Sequence, residues 1–218
     1  MKRIFTLALT LLLLCGSLVL TAYMTEATID GLEFVSNSIY KVENDLDAEP
    51  ITIEAVIYAN KRLKSGSVHG VIFGNEKGIS NAACLSLKVT SEGYPSLFVK
   101  GHEWTEGNTG HAYTCDFKNA AIIKSEWVHL TVVRDLKNNE VRCYVNGELV
   151  DTVDTFDVGP MGLFDFAVGG DRTSHNTNYL QNAKLRSLKV YSDVRTEAEI
   201  KKDMESLDKS DLILHYDF

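Results

Sequence analysis

The amino-acid sequence predicts an all-β protein, a two-sheet antiparallel β-sandwich with one short helix near its C-terminal end. Three observations predict it. The stretch WVHLTVVRDLKNNEVRCYVNGELVDTV, residues 127–153, holds alternating runs. Val128, Leu130 and Val132 alternate with His129, Thr131 and Val133, and Val141, Cys143 and Val145 alternate with Arg142, Tyr144 and Asn146. Alternation at period two marks strands with two distinct faces. The breaks between these runs carry turn residues, Lys137-Asn138-Asn139 and then Asn146-Gly147, which tolerate the backbone conformations of hairpin tips. Similar runs and breaks recur along the chain, while one late segment has a helical period. Strands of this kind bury their apolar faces against a second sheet.

Taken in order, GLEFVSNSIYKV (31–42) reads as a strand, a polar turn at Ser36-Asn37-Ser38 and a second strand. Glu43 to Glu49 forms an acidic loop stopped by Pro50, and ITIEAVIY, Ile51 to Tyr58, is a strong strand. Lys61 to Gly66 is a basic loop, followed by a strand from His69 to Phe73. Cys84–Thr90 and Pro95–Lys100 pair across Ser91-Glu92-Gly93-Tyr94. Gly101 to Gly110 is a glycine-rich loop, and Ala112 to Ile123 holds one or two strands. After the residue-127 meander come a strand from Phe164 to Val168 and the run LRSLKVY. Thr196 to Leu207 reads as the helix, with Thr196 as N-cap and Glu199 completing a capping box. Ile200, Met204 and Leu207 form its apolar stripe. DLILHYDF closes the chain and reads as an interior strand.

A length of 218 residues suits one domain plus an export segment, and 44% apolar with 24% charged residues is the composition of an ordinary globule. Lys2-Arg3 precede an apolar run from Ile4 to Leu20, the layout of a signal peptide over residues 1–27, with cleavage after Ala27 and Ala22 as the other position. The competing reading is an uncleaved anchor, because a span needs about 20 apolar residues. Cys15 follows the bulky Leu14, which argues against a lipoprotein cysteine. Cleavage removes Lys2, Arg3 and Glu26, so Lys+Arg falls from 22 to 20, Asp+Glu from 30 to 29, and the net charge becomes −9. That charge repels phosphate backbones and anionic lipid. Neither nucleic acid nor membrane insertion is expected of the mature chain, which is expected to be a secreted monomer. Cys84, Cys115 and Cys143 then remain; buried thiols and a single disulfide plus one thiol are the two readings.

The ordered set GLEF, SIYKV, PITIEAVIY, GVIFGN, SEGYPSLFV, SEWVHLTVVRD, CYVNGEL, AVGGDRT, LRSLKVYSDVRTEAEIKKDM and LILHYDF resembles a laminin-G-like domain, a concanavalin A-like jelly roll, over residues 28–218. It is similar to the N-terminal modules of large secreted bacterial metallophosphoesterase proteins. The resemblance implies export and an accessory binding or adhesive role. Phosphatase activity is not implied, since that chemistry needs clustered His, Asp and Asn ligands for two metals and the chain carries no such domain. Val56 stands where relatives usually carry Trp.

Candidate site residues follow from chemistry. His102, Trp104, His111 and Tyr113 concentrate in GHEWTEGNTGHAY. A flat aromatic face beside polar groups suits a sugar, and Trp104 is the candidate platform; a Trp folded back on the sheet is the equal alternative. Trp127 is expected to pack on the sheet. His175, Asn176 and Asn178 form a second polar loop, read first as a turn. Glu43, Asp45, Asp47 and Glu49 approach the carboxylate pattern of glycosidases on this fold, but the final gap is one residue too long and Pro50 follows, so a solvated loop is the expectation. Asp45, Asp47 and Asp171 are the candidate ligands of a structural calcium, which takes six to eight oxygens. No nucleophile elbow, P-loop or dinucleotide fingerprint is present. The function expected is a secreted non-catalytic module binding a glycan or a cell-surface protein, with a glycoside hydrolase or lyase of the same fold and a structural spacer as alternatives.

Overall fold

The computed structural model describes residues 31–34, 39–59, 70–75, 83–101, 112–122, 125–159, 161–163, 165–170 and 179–218. In chain order the strands are β1 Leu32–Phe34, β2 Tyr40–Lys41, β3 Thr52–Ala59, β4 Gly70–Gly74, β5 Cys84–Val89, β6 Pro95–Lys100, β7 Ala112–Asp116, β8 Trp127–Asp135, β9 Glu140–Val145, β10 Glu148–Asp154, β11 Ala167–Val168, β12 Ala183–Tyr191 and β13 Leu212–Asp217, with helix α1 Glu197–Glu205 before β13. A seven-stranded sheet runs β1-β12-β3-β8-β9-β10, with β13 also on β12. A six-stranded sheet runs β2-β11-β4-β5-β6-β7. Every strand pairing is antiparallel, which agrees with the predicted sandwich.

Alternation builds the core. Ile53, Ala55 and Ile57 of β3 and Val128, Leu130 and Val132 of β8 face Leu85, Leu87, Leu97 and Val99 of the other sheet, all buried in one cluster. Phe73 and Phe166 stack with centroids 4.9 Å apart inside it. Each such fully buried side chain contributes about 1.5–3 kcal/mol of transfer free energy. The Asn146-Gly147 turn has φ of 52° and 78°, the two left-handed residues of a type I′ hairpin. The side chain of Asn146 also accepts the His129 N–H at 2.9 Å, tying the turn to β8.

Several expectations need correction. The two strands of 31–42 exist, but β1 joins one sheet and β2 the other. Of the one or two strands expected after residue 111, the described residues 112–122 hold one, because Phe117 to Ala120 turn through short backbone bonds. The strand placed at Phe164–Val168 is only Ala167–Val168; Asp165 has φ of 63°, which breaks extended backbone. DLILHYDF is not an interior strand. β13 bonds only to β12, beside β1 on the same edge, and is half-buried along its length. The capping box of α1 is as expected: Thr196 Oγ1 accepts the Glu199 N–H at 3.3 Å, and Glu199 Oε2 accepts the Thr196 N–H at 2.8 Å. The apolar stripe is not. Ile200 is fully buried on Val133 and Tyr144, whereas Met204 and Leu207 are 44% and 38% exposed. The second buried residue of the helix is Asp203.

Among the described residues Cys84, Cys115 and Cys143 form no disulfide, and all three are buried. Burial pushes the Cys115 thiol up to about 12 and that of Cys143 upward as well. The segment assigned as signal peptide, residues 1–27, lies outside the described residues. Among the described residues no helix is long and apolar enough to cross a membrane.

Candidate functional site

The outer face of the seven-stranded sheet carries polar side chains under a helix. Register places Glu54 beside Thr131 and Lys189, and Val56 beside His129 and Ser187. All of these point away from the core, since their neighbours Ala55 and Leu130 point into it. Helix α1 lies over this face through Ile200, so Glu54, His129 and Thr131 are buried although they lie on an outer surface. Buried charge must be paired. His129 Nε2 sits 3.3 Å from Glu54 Oε2, and Lys189 Nζ lies 3.8 Å from the same oxygen while donating to the Asp203 carbonyl at 2.7 Å. Arg195 is stacked 3.8 Å over the Tyr191 ring, donates to the Ser210 carbonyl at 2.7 Å and lies 3.4 Å from Asp203 Oδ2. Burial, and then the nearby Glu54 charge, raise the Asp203 carboxyl above the usual carboxylate range, against the pull of Arg195. Both Asp203 carboxylate oxygens lack a well-aligned hydrogen bond.

Where the helix ends, this face opens into a groove of about 510 Å³. Val56, His129, Ser187 and Lys189 form its floor; Asp203 to Leu207 form one wall; Asn146, His215, Asp217, Trp127 and Arg186 complete the lining. Val56 is a small side chain in the middle of this floor, and a larger one there would fill the space. Trp127 packs on the sheet as expected, edge-on to Tyr58 with centroids 5.6 Å apart, but on the outer face and half-exposed to the groove. Its ring is not a bare plate, because the Arg186 guanidinium lies over it at 4.2 Å.

A β-bulge aims that arginine. Leu185 pairs with Ile57 and Ser187 with Val56, so Arg186 is an extra residue with no counterpart on β3. A bulge re-aims side chains by breaking the strict alternation of faces. Leu185 and Leu188 stay in the core while Arg186 and Ser187 both reach the groove.

The ligand and metal candidates that the structure describes, Tyr113, Asp45 and Asp47, do not line this groove. His102, Trp104, His111 and Asp171 lie outside the described residues, as do His175, Asn176 and Asn178. Tyr113 points inward: its hydroxyl is 3.5 Å from Arg134 Nε and its ring meets Phe156 edge-on at 5.7 Å. With its ring and hydroxyl taken up this way, Tyr113 is buried rather than offering a face to a ligand. Gly101 is pressed against the Val158 carbonyl, where a Cβ has no room. Asp45 and Asp47 are exposed on either side of buried Leu46, and Glu43 is exposed with them. Glu49 is structural: Oε1 accepts the Met161 N–H at 2.9 Å. Among the described residues no three His, Cys, Asp or Glu side chains cluster as metal ligands do. The groove was not foreseen, although one signal pointed to it. Glu54 interrupts the apolar run ITIEAVIY, and a charge in the middle of such a strand implies a partnered polar face.

The profile of a laminin-G-like family, described as the concanavalin A-like lectin/glucanases superfamily, matches residues 36–201. No curated protein matches the chain by sequence. Among solved structures, the CBM40 of the Ruminococcus gnavus IT-sialidase bound to α2,3-sialyllactose superposes with a TM-score of 0.58 at 18% identity, over 79% of this chain and 95% of that one. The heptameric SAP-like pentraxin of Limulus polyphemus gives 0.52 at 16% identity, over 79% of each. A botulinum neurotoxin type C structure, described by its interaction with two ganglioside molecules, gives 0.50 at 16% identity, over 75% of this chain and 37% of that one. At these identities the likeness is one of fold.

Proposed function

Since this chain belongs to the concanavalin A-like lectin/glucanases superfamily, we propose that it is an exported, non-catalytic module that binds glycans through the groove on its outer face. The groove itself carries the reading. It is concave, its floor is built on strands, and it is lined by mixed polar and apolar side chains, the surface a sugar needs for its hydroxyls and its C–H faces. The sialyllactose bound by one structure of similar fold and the gangliosides with which another interacts support the same class of partner. Export rests on the Lys2-Arg3 start and the apolar run after it. A structural calcium at Asp45, Asp47 and Asp171 belongs to the same proposal. The exposed carboxylates of Asp45 and Asp47 have the hard-oxygen chemistry that ion prefers.

The test is a glycan array and polysaccharide pull-down with the exported protein and two variants. Val56→Trp fills the groove floor and is expected to abolish retention with the fold intact. Trp104→Ala is expected to leave retention in place. Loss in Trp104→Ala with binding preserved in Val56→Trp moves the site to the 102–111 loop and refutes the groove. Release of reducing ends from any polysaccharide refutes the non-catalytic reading.

A further inference from the structure

Among the described residues that line the groove, Arg186 is a cation without an ion-pair partner. Lys189 is engaged by Glu54 and the Asp203 carbonyl, and His215 Nε2 lies 3.1 Å from Asp217 Oδ1. Among the described residues no carboxylate lies within ion-pair distance of Arg186; its recorded partner is the Trp127 ring at 4.2 Å. An arginine held over an indole loses little further freedom when its N–H edge is taken up by a ligand, and the indole shields one side of it from water. A planar fork of donors matches a carboxylate in two parallel hydrogen bonds. The β-bulge at Arg186 delivers this fork to the groove rather than out along the sheet.

Resting on the groove as the glycan site, we propose that it selects sugars bearing a carboxylate, with Arg186 on Trp127 as the acid-binding element. The ring of such a sugar lies over the Val56 floor, and its carboxylate meets the Arg186 edge. The module as a whole is acidic, at −8 over the full sequence. Long-range attraction therefore does not draw the anion in, and the preference is local to this fork.

The experiment is an NMR titration of the exported protein, reading the Arg186 Nε–H and Trp127 indole N–H signals. The probes are methyl glucuronide, the methyl glycoside of N-acetylneuraminate, and methyl glucoside as the neutral match. The acids are expected to move both signals and to bind about tenfold more tightly than the glucoside, the scale of one charge-assisted bond. Arg186 is exposed, so Arg186→Gln is compatible with folding and is expected to lower the acids to the glucoside level. A response to one acid alone supports the inference and identifies the source, uronic or sialic. Equal binding of acid and neutral sugar, or an acid preference that survives in Arg186→Gln, overturns the inference and leaves the groove as a glycan site. Silence of both signals toward all three probes, with binding detected elsewhere or not at all, overturns the groove reading and the inference with it.

Discussion

Replacing Ile200 by alanine tests how the helix is held. Ile200 is fully buried in a small cluster with Val133 and Tyr144, apart from the main core. The change removes three carbons, at about 0.8 kcal/mol each, or ~2.4 kcal/mol of transfer free energy. A residual cavity adds to this, but a helix on a sheet can settle inward, so the expected total is about 2.5–3.5 kcal/mol. For a domain of this size each kcal/mol lowers Tm by about 2–4 °C, giving a fall of roughly 5–14 °C. The assay is thermal unfolding followed by circular dichroism, with Met204→Ala as the control. Met204 is 44% exposed, so its truncation is expected to cost less than about 0.5 kcal/mol. A helix held by the whole apolar stripe predicts similar costs for both. Equal melting shifts in the two variants would therefore refute the argument that one side chain anchors the helix. The wall of the groove from Asp203 to Leu207 rides on that anchor, so Ile200→Ala is also expected to weaken glycan retention.

Thr196→Ala is expected to cost about 1 kcal/mol near neutral pH through loss of the capping box. Hydrogen bonds from Thr196 hold the Glu199 carboxyl below its ordinary range, so this stabilisation is present above the unfolded-state pKa and fades as pH falls through the folded one. The hydroxyl bond to the Glu199 carboxylate is the pH-dependent part that Thr196→Ala removes, so the difference in denaturant midpoint should narrow under acid conditions, and a difference that widens there would count against the cap. Cys84, Cys115 and Cys143 should resist a thiol reagent in the native state and react together in denaturant, read by absorbance; fast native labelling of Cys115 contradicts its burial. Calcium at a hundredfold excess over Kd should add about 2.7 kcal/mol to unfolding, measured calorimetrically, and an undiminished effect in Asp171→Ala clears that residue of the role.

Period-two alternation and turn chemistry made most of the sandwich legible, because both are properties of neighbouring residues. The Asn146-Gly147 hairpin and the Thr196–Glu199 box were readable for that reason. What the sequence hid depends on distant partners. Nothing local in DLILHYDF says which edge it joins, so an edge strand read as an interior one. Asp203 escaped a reading based on apolar spacing because it is charged, yet it is buried with its carboxylate 3.4 Å from Arg195, a partner that lies outside the helix. The groove required Val56, His129 and Arg186 from three strands plus the end of a helix, a meeting that no single segment announces. Tyr113 was placed among ligand contacts because it adjoins a polar loop, while strand alternation turned it to the core.

β10 ends the seven-stranded sheet, and among the described residues β9 is the one strand bonded to it. Along it stand Glu148, Asp151 and Asp154, and its pairing with β9 skips Val150. If a second copy docked its own β10 in antiparallel register, carboxylates would oppose carboxylates, each directly opposed pair unfavourable by a few tenths to about 1 kcal/mol. The irregular backbone would also misalign the new ladder. Copies crowded side by side can therefore stay separate, each presenting its own groove, without their sheets fusing into one.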